Sequence, residues 1–386
     1  MERRQNRILL CLCHLSGNEQ KFVQEAFDTN WVVPLGPNVD AFEIMLQNYL
    51  TSNNETLHVV ALSSGTAAIH LALILSGIQA GDEVICQSFT FSASANPIVY
   101  QRATPIFVDS EKQTWNMSPY LLEKAIIERK KISGKYPKAI IPVHLYGIPA
   151  NMDDILSIAQ TYNIPVIEDA AEALGSAYKG KKCGNFGQFG ILSFNGNKII
   201  TTSGGGALIC KDGEMAHKAK FYATQARENR PYYHHEKIGY NYRMSNICAG
   251  IGRGQMLVLD EHMHRRKQIH QQYTNLLKDI EGIYVMQNPS SEYDSNFWLT
   301  CILVDKNKTG VSNDDIRIHL DKANIESRLL WKPMHMQPVF QHCPFYGDST
   351  SESIFNQGLC LPSGSSLSDD DIDRVIHEMK RILNNK

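Results

Sequence analysis

Between about residues 57 and 210, apolar runs of strand length alternate with segments of helical periodicity, and this restricts the fold more than any other feature. "LHVVALSS" leads into "GTAAIHLALILSG", where apolar residues recur at helical spacing and Gly77 can end the helix. "DEVICQS", "SASANPIVYQ" and "TPIFVD" follow, and then "MSPYLLEKAIIERKK" with a Ser-Pro helix start. "PKAIIPVHL" reads as a buried strand, "NMDDILSIAQTY" as a helix and "IPVIEDAA" as a further strand. Such alternation implies βαβ units and an α/β fold whose central sheet is mostly parallel and flanked by helices.

The pattern then changes. Glycines cluster in "KKCGNFGQFG" and "TTSGGG" around the short strands "ILSFN" and "GALIC", and a helix is expected from about Asp212 to Arg227. Beyond about residue 250, "QMLVLDEHMHRRKQIHQQYTNLLKDI" reads as one long helix. "NFWLTCILV", "SNDDIRIHLDKANI" and "SDDDIDRVIHEMKRILNN" complete a smaller α+β unit. The expected division is a large domain over 1–250 and a small C-terminal domain over 251–386, with residues 1–30 free to pack elsewhere; a length of 386 residues suits two or three domains.

Bulk properties exclude some functions. A net charge of −2, without a block of like charge, gives no basic field for nucleic acid. The apolar run Ile8–Cys13 is too short for a signal-peptide core, and no stretch approaches the roughly 20 apolar residues of a membrane span. The nine cysteines are odd in number, scattered, and mostly set in apolar runs, so they read as reduced, buried thiols of a soluble cytoplasmic protein. His262 with His264, and His234 with His235, lack a convincing set of further ligands, so no metal site is expected.

Ligands of open α/β sheets lie at the carboxyl ends of the strands, which makes those ends the candidates for chemistry. Asp169 ends "IPVIED", and Lys198 lies in the "SFNGNK" turn 29 residues later. A strand-end acid and a downstream loop lysine suit a pyridoxal cofactor: the lysine bonds it, and the carboxylate keeps its ring nitrogen protonated. Each also has an ordinary reading, as a solvated turn lysine and as a loop hydrogen bonder. Gly65 and Thr66 lie where a strand hands over to a helix, a ready phosphate site, although plain N-capping by Ser64 or Thr66 explains them as well. Ser193 could add a hydroxyl there. Phe89 could stack on the cofactor ring or simply fill the core.

Taken in order, the segments "LGPNVDAFE", "SSGTAAIHLAL", "GDEVICQSFTFSASANPI", "PVHLYG", "IEDAAEALGS", "SFNGNK", "GYNYRMSN" and "LPSG" span nearly the whole chain. The chain resembles the nucleotide-sugar aminotransferases of the DegT/DnrJ/EryC1/StrS family, which have the pyridoxal-phosphate fold type I of aspartate aminotransferase. The resemblance implies that Lys198 carries pyridoxal 5'-phosphate, that Asp169 holds its ring nitrogen, and that Gly65, Thr66, Ala67 and Ser193 form the phosphate cradle. It implies that Phe89 stacks on the ring and that Asn241 reaches the phosphate of a neighbouring subunit, which requires a homodimer with shared active sites. Arg243 and His335 match positions that contact the nucleotide-sugar, and His144 lies close by.

Two departures stand out. Glu172 replaces the Gln or His of many relatives, beside the cofactor, and the glycine loop "SGGG" (203–206) lacks an acidic residue common in the family. Together with "NGNKIITTSGGG" and "FYATQARENR", both resemble the branch that makes UDP-4-amino sugars for bacillosamine. The expected reaction moves an amino group from L-glutamate to the C4 ketone of UDP-4-keto-6-deoxy-N-acetylglucosamine. Other readings are a dTDP- or GDP-linked 3- or 4-ketosugar as acceptor and, from another class, a catalytically silent pyridoxal-phosphate-binding or regulatory protein. Related sugar dehydratases carry histidine where Lys198 stands, which favours amination.

Overall fold

The computed structural model describes residues 6–51 and 56–384. Seven strands, with one further short strand at an edge, build the principal sheet: β1 (His58–Leu62), β2 (Glu83–Gln87), β3 (Thr104–Val108), β4 (Ala139–Ile141), β5 (Ile167–Asp169), β6 (Phe189–Ser193) and β7 (Gly206–Cys210). One half runs in the order β1-β7-β6-β5; the other runs β4-β2-β3 and ends on the short strand Phe345–Tyr346. The halves are joined through the parallel bridges Ile140–Val166 and Val143–Asp169.

β2 pairs parallel to β3 and β4, and β5 parallel to β6, as the alternating pattern predicts. β7 differs: it runs antiparallel to both β1 and β6. All five of its residues are buried, so "GALIC" has no polar face from which a direction could be read. The Gly65–Leu75 helix is enclosed too. Its residues Ala68, Leu71 and Leu73 are fully buried, because it packs against β6 and β7 and the Gly213–Ala223 helix covers it.

A second, antiparallel sheet comprises β8 (Ile283–Val285), β9 (Thr300–Val304), β10 (Arg328–Leu329) and β11 (Gly358–Leu361), in the order β8-β9-β11-β10. Residues of the Leu259–Leu277, Asn313–Lys322 and Asp369–Asn384 helices share its apolar core. Ile8 belongs to that core as well, through a parallel bridge to Ile325, so this part of the N-terminal segment packs against the C-terminal layer.

Two expectations about helices need revision. The long helix is two, Asn246–Met256 and Leu259–Leu277, because Val258 leaves the helical region at φ −121 and ψ 11. Helices Glu19–Asp28 and Pro37–Leu50, which the pattern did not reveal, pack against the first of these. Among the described residues, no helix is long and apolar enough to cross a membrane.

Candidate active site

The carboxyl ends of β5 and β6 meet the start of the Gly65–Leu75 helix around a cavity of about 660 Å³. Asp169, the last residue of β5, is buried in its wall. The Ser94 hydroxyl donates to its Oδ2 at 2.6 Å and the Ala171 N–H to its Oδ1 at 3.1 Å. Among the described residues no cation forms an ion pair with it. Burial pushes this carboxyl above its usual range, opposed by those two hydrogen bonds and by the nearby Lys198 charge.

Lys198 lies in the turn after β6, held by its own N–H donating to Asn195 O at 3.0 Å. Its Nζ is 3.4 Å from Glu172 Oε1 and 3.9 Å from the centre of the Trp298 ring, which attracts an ammonium through its π face. Glu172 is also buried, and its Oε2 accepts the Tyr146 N–H at 2.7 Å. Burial drives its pKa up to about 7, against the pull of Lys198 and the Tyr146 N–H.

The helix start forms the cavity's third element. Ser64 caps it by accepting the Ala67 N–H at 3.0 Å. The N–H groups of Gly65 and Thr66 belong to the first turn and have no carbonyl within the helix to bond. Gly206 brings β7 hard against them: a Cβ there would lie 2.3 Å from the Gly65 nitrogen. These features fit a pyridoxal phosphate: a buried acid without a cation suits a protonated ring nitrogen, a half-buried amine suits the carbonyl carbon, and open N–H groups suit the phosphate.

The sequence pattern of the DegT/DnrJ/EryC1/StrS aminotransferase family matches residues 14–380. The chain belongs to this family. It is 49% identical to EpsN of Bacillus subtilis, provisionally named a pyridoxal phosphate-dependent aminotransferase, over 98% of the chain and 96% of that protein. Identity to the GDP-perosamine synthase of Caulobacter vibrioides is 37%, over 98% of each chain. A crystal structure of a family aminotransferase from Brucella abortus superposes with a TM-score of 0.88 at 30% identity, covering 96% of both chains. The protein is thus a pyridoxal-phosphate-dependent aminotransferase of fold type I that acts on nucleotide-linked sugars.

Not every expected site residue of the aminotransferase lines its cavity. Gly65, Thr66, Asp169, Glu172, Ser193 and Lys198 do. Phe89 does not: it is fully buried, edge-on to Tyr146, and Phe91, two residues later and mostly exposed, faces the cavity instead. The Ala67 N–H donates to Ser64 Oγ at 3.0 Å, and Ala67 is not among the lining residues. Arg243 is bound to Glu43 Oε1 at 2.8 Å and to Ala61 O at 3.0 Å, locked behind β1. His335 stacks on Phe345 and bonds Ser88 and Glu352, again away from the cavity.

His144 is fully buried, with Nδ1 accepting the Ala150 N–H at 2.9 Å and Nε2 facing Glu168 Oε1 at 2.7 Å. Its role is to brace the strand behind Asp169, whose carbonyl accepts the His144 N–H at 3.1 Å. It is not among the residues that line the cavity. Asn241 is exposed and bonds Gln225 on the outer surface of its own chain.

Sequence reasoning missed Phe91, Ser94, Trp298, Trp331 and Arg328, all of which line the cavity. The first two sit within the quoted segment "SFTFSASANPI", where the cavity-lining Phe91 stands two residues after the buried Phe89. The other three arrive from far along the chain and leave no local signal.

Proposed function

We propose that this aminotransferase moves the amino group of L-glutamate to the C4 ketone of UDP-4-keto-6-deoxy-N-acetylglucosamine, as a homodimer with shared active sites. The carrying observation is the convergence of Lys198, Glu172 and Asp169 in one cavity beside an open helix start. The choice of UDP-sugar draws on the "NGNKIITTSGGG" and "FYATQARENR" segments.

Lys198 would hold the cofactor's carbonyl carbon, Asp169 its ring nitrogen, and Gly65, Thr66 and Ser193 its phosphate, with Phe91 over the ring. When bound, pyridoxal phosphate supplies an electron sink that lets a proton leave the carbon bearing the amino group. Ser94 and the Ala171 N–H keep both Asp169 oxygens oriented, so the carboxylate keeps one direction in each half of the reaction. Lys198 takes the proton at Nζ and returns it to the neighbouring carbon, which is general acid–base work at a positioned group. Glu172, with its pKa near neutrality, can hold a proton 3.4 Å from that amine. Trp298 steadies the ammonium form and excludes water from one side of it.

Visible absorbance of the cofactor-loaded protein tests this reading. Glutamate should bleach it, and the UDP-ketosugar should restore it; Lys198→Ala should abolish both changes. The 37% identity to a GDP-perosamine synthase favours one second reading, a GDP-linked ketosugar as acceptor. Recovery with the GDP-sugar alone would select it. Loaded protein that glutamate does not bleach would refute the glutamate reaction for either acceptor.

A further inference from the structure

Two cationic side chains line the cavity among the described residues: Lys198 and Arg328. Arg328 opens β10, and its side chain is 69% exposed, which places it at the cavity rim. It is nevertheless held. Its Nε and Nη2 both donate to one oxygen, Glu326 Oε1, at 3.1 and 2.8 Å. The other oxygen, Glu326 Oε2, accepts the Leu10 N–H at 3.1 Å. The Glu326 N–H in turn donates to Ile8 O at 2.8 Å, so the chain's first described residues fix the carboxylate that fixes the guanidinium.

A guanidinium carries five N–H donors, and Glu326 engages it through Nε and Nη2. The Nη1 edge has no protein partner among the described residues. Beside it, Leu10 and Cys11 close one wall, and the Cys11 thiol reaches Asn197 O at 2.9 Å, next to Lys198. The rim cation and the floor amine therefore face a common space. Both substrates of the proposed reaction are anions: glutamate has two carboxylates, and the ketosugar a diphosphate. In the proposed reaction they would occupy this space in turn, while the floor itself presents two acids, Asp169 and Glu172.

We propose that Arg328, aimed by Glu326, is the anion receptor of the substrate cavity, its Nη1 edge taking a pair of anionic oxygens from the substrate present. A planar fork suits carboxylate and phosphate alike. The inference rests on the proposed function, because it takes its ligands from that reaction. Glu326 also moderates the receptor: its negative charge keeps the site weak enough for each product to leave.

Calorimetry on the cofactor-loaded enzyme, with glutarate and UDP as unreactive probes, tests it. Arg328→Gln should lose about ten- to a hundredfold in affinity for a probe that Arg328 holds, as expected when a charge-assisted bond is removed. Arg328→Lys should recover little, having charge without the fork. Glu326→Gln should bind more tightly than wild type. A loss confined to glutarate assigns Arg328 to the donor's carboxylate; one confined to UDP assigns it to the acceptor's diphosphate. Unchanged affinity for both probes in Arg328→Gln, in an enzyme that glutamate still bleaches, overturns the assignment and leaves the proposed function standing. A wild-type enzyme that glutamate fails to bleach overturns the proposed function first, and this inference with it.

Discussion

Glu172 sits 3.4 Å from an amine and still has its pKa pushed up to about 7, because burial outweighs that attraction. In the cofactor-free protein this makes stability depend on pH. Below pH about 4.5 the residue is protonated both folded and unfolded, and it costs nothing. As pH rises, the unfolded chain releases this proton first, so folding loses stability until the folded pKa is passed; the loss reaches on the order of 3 kcal/mol. Glu172→Gln removes it. Urea unfolding of both proteins at several pH values should show the variant gaining on wild type as pH climbs from about 4.5 to about 8. A constant difference across that range would contradict the burial argument.

The two phenylalanines after β2 differ in burial and should respond differently to truncation. Phe89→Ala opens a void in a closed core and should cost about 3–5 kcal/mol. Phe91→Ala removes a mostly exposed ring, so it should leave unfolding nearly unchanged while weakening retention of the cofactor, read from absorbance after dialysis. The places of Lys198 and Asp169 at the cavity were legible because strand ends and turns follow local rules. The positions of Arg243 and His335 outside this cavity were not legible, for the opposite reason. Their partners Glu43 and Ser88 lie 200 and 247 residues away, and only the folded chain brings them together.

Among the elements, the parallel strands announced themselves through continuous apolar runs, but β7 did not announce its direction. What the "SGGG" segment does show is crowding, and its glycines are not equivalent. A Cβ on Gly204 meets nothing within 4 Å, whereas one on Gly206 would lie 2.3 Å from both the Gly65 nitrogen and the Ser64 carbonyl carbon. Backbone cannot yield as a side-chain tip can. Gly206→Ala should therefore separate β7 from the helix start, lowering thermal stability markedly and cofactor retention with it. Gly204→Ala should leave both near wild type. Equal behaviour of the two variants in a thermal melt would show that the close approach of β7 matters little. Helix breaks were the least legible feature, since "QMLVLDE" keeps its helical periodicity straight through Val258, where the backbone leaves the helix.

At the scale of the molecule, the proposed homodimer accounts for surfaces that a lone chain leaves open. Trp31, Val32, Val33 and Leu35 are each more than a third exposed and lie in one run. That run is tied to Asn246, whose Nδ2 donates to Trp31 O at 2.9 Å and whose N–H donates to Val33 O at 2.9 Å. Asn241 stands five residues before it, outside its own cavity. An apolar patch beside a proposed site residue that lies outside its own chain's cavity is what a shared interface requires. The arrangement predicts complementation between inactive variants. In a mixed dimer of Lys198→Ala with Asn241→Ala, one cavity combines an intact Lys198 from one chain with an intact Asn241 from the other, while the second cavity loses both. Random reassortment makes about half the dimers mixed, so mixing two nearly inactive preparations should restore about a quarter of wild-type activity. If Asn241 served its own chain's cavity, every mixed dimer would carry one defect in each site, and mixing would restore nothing.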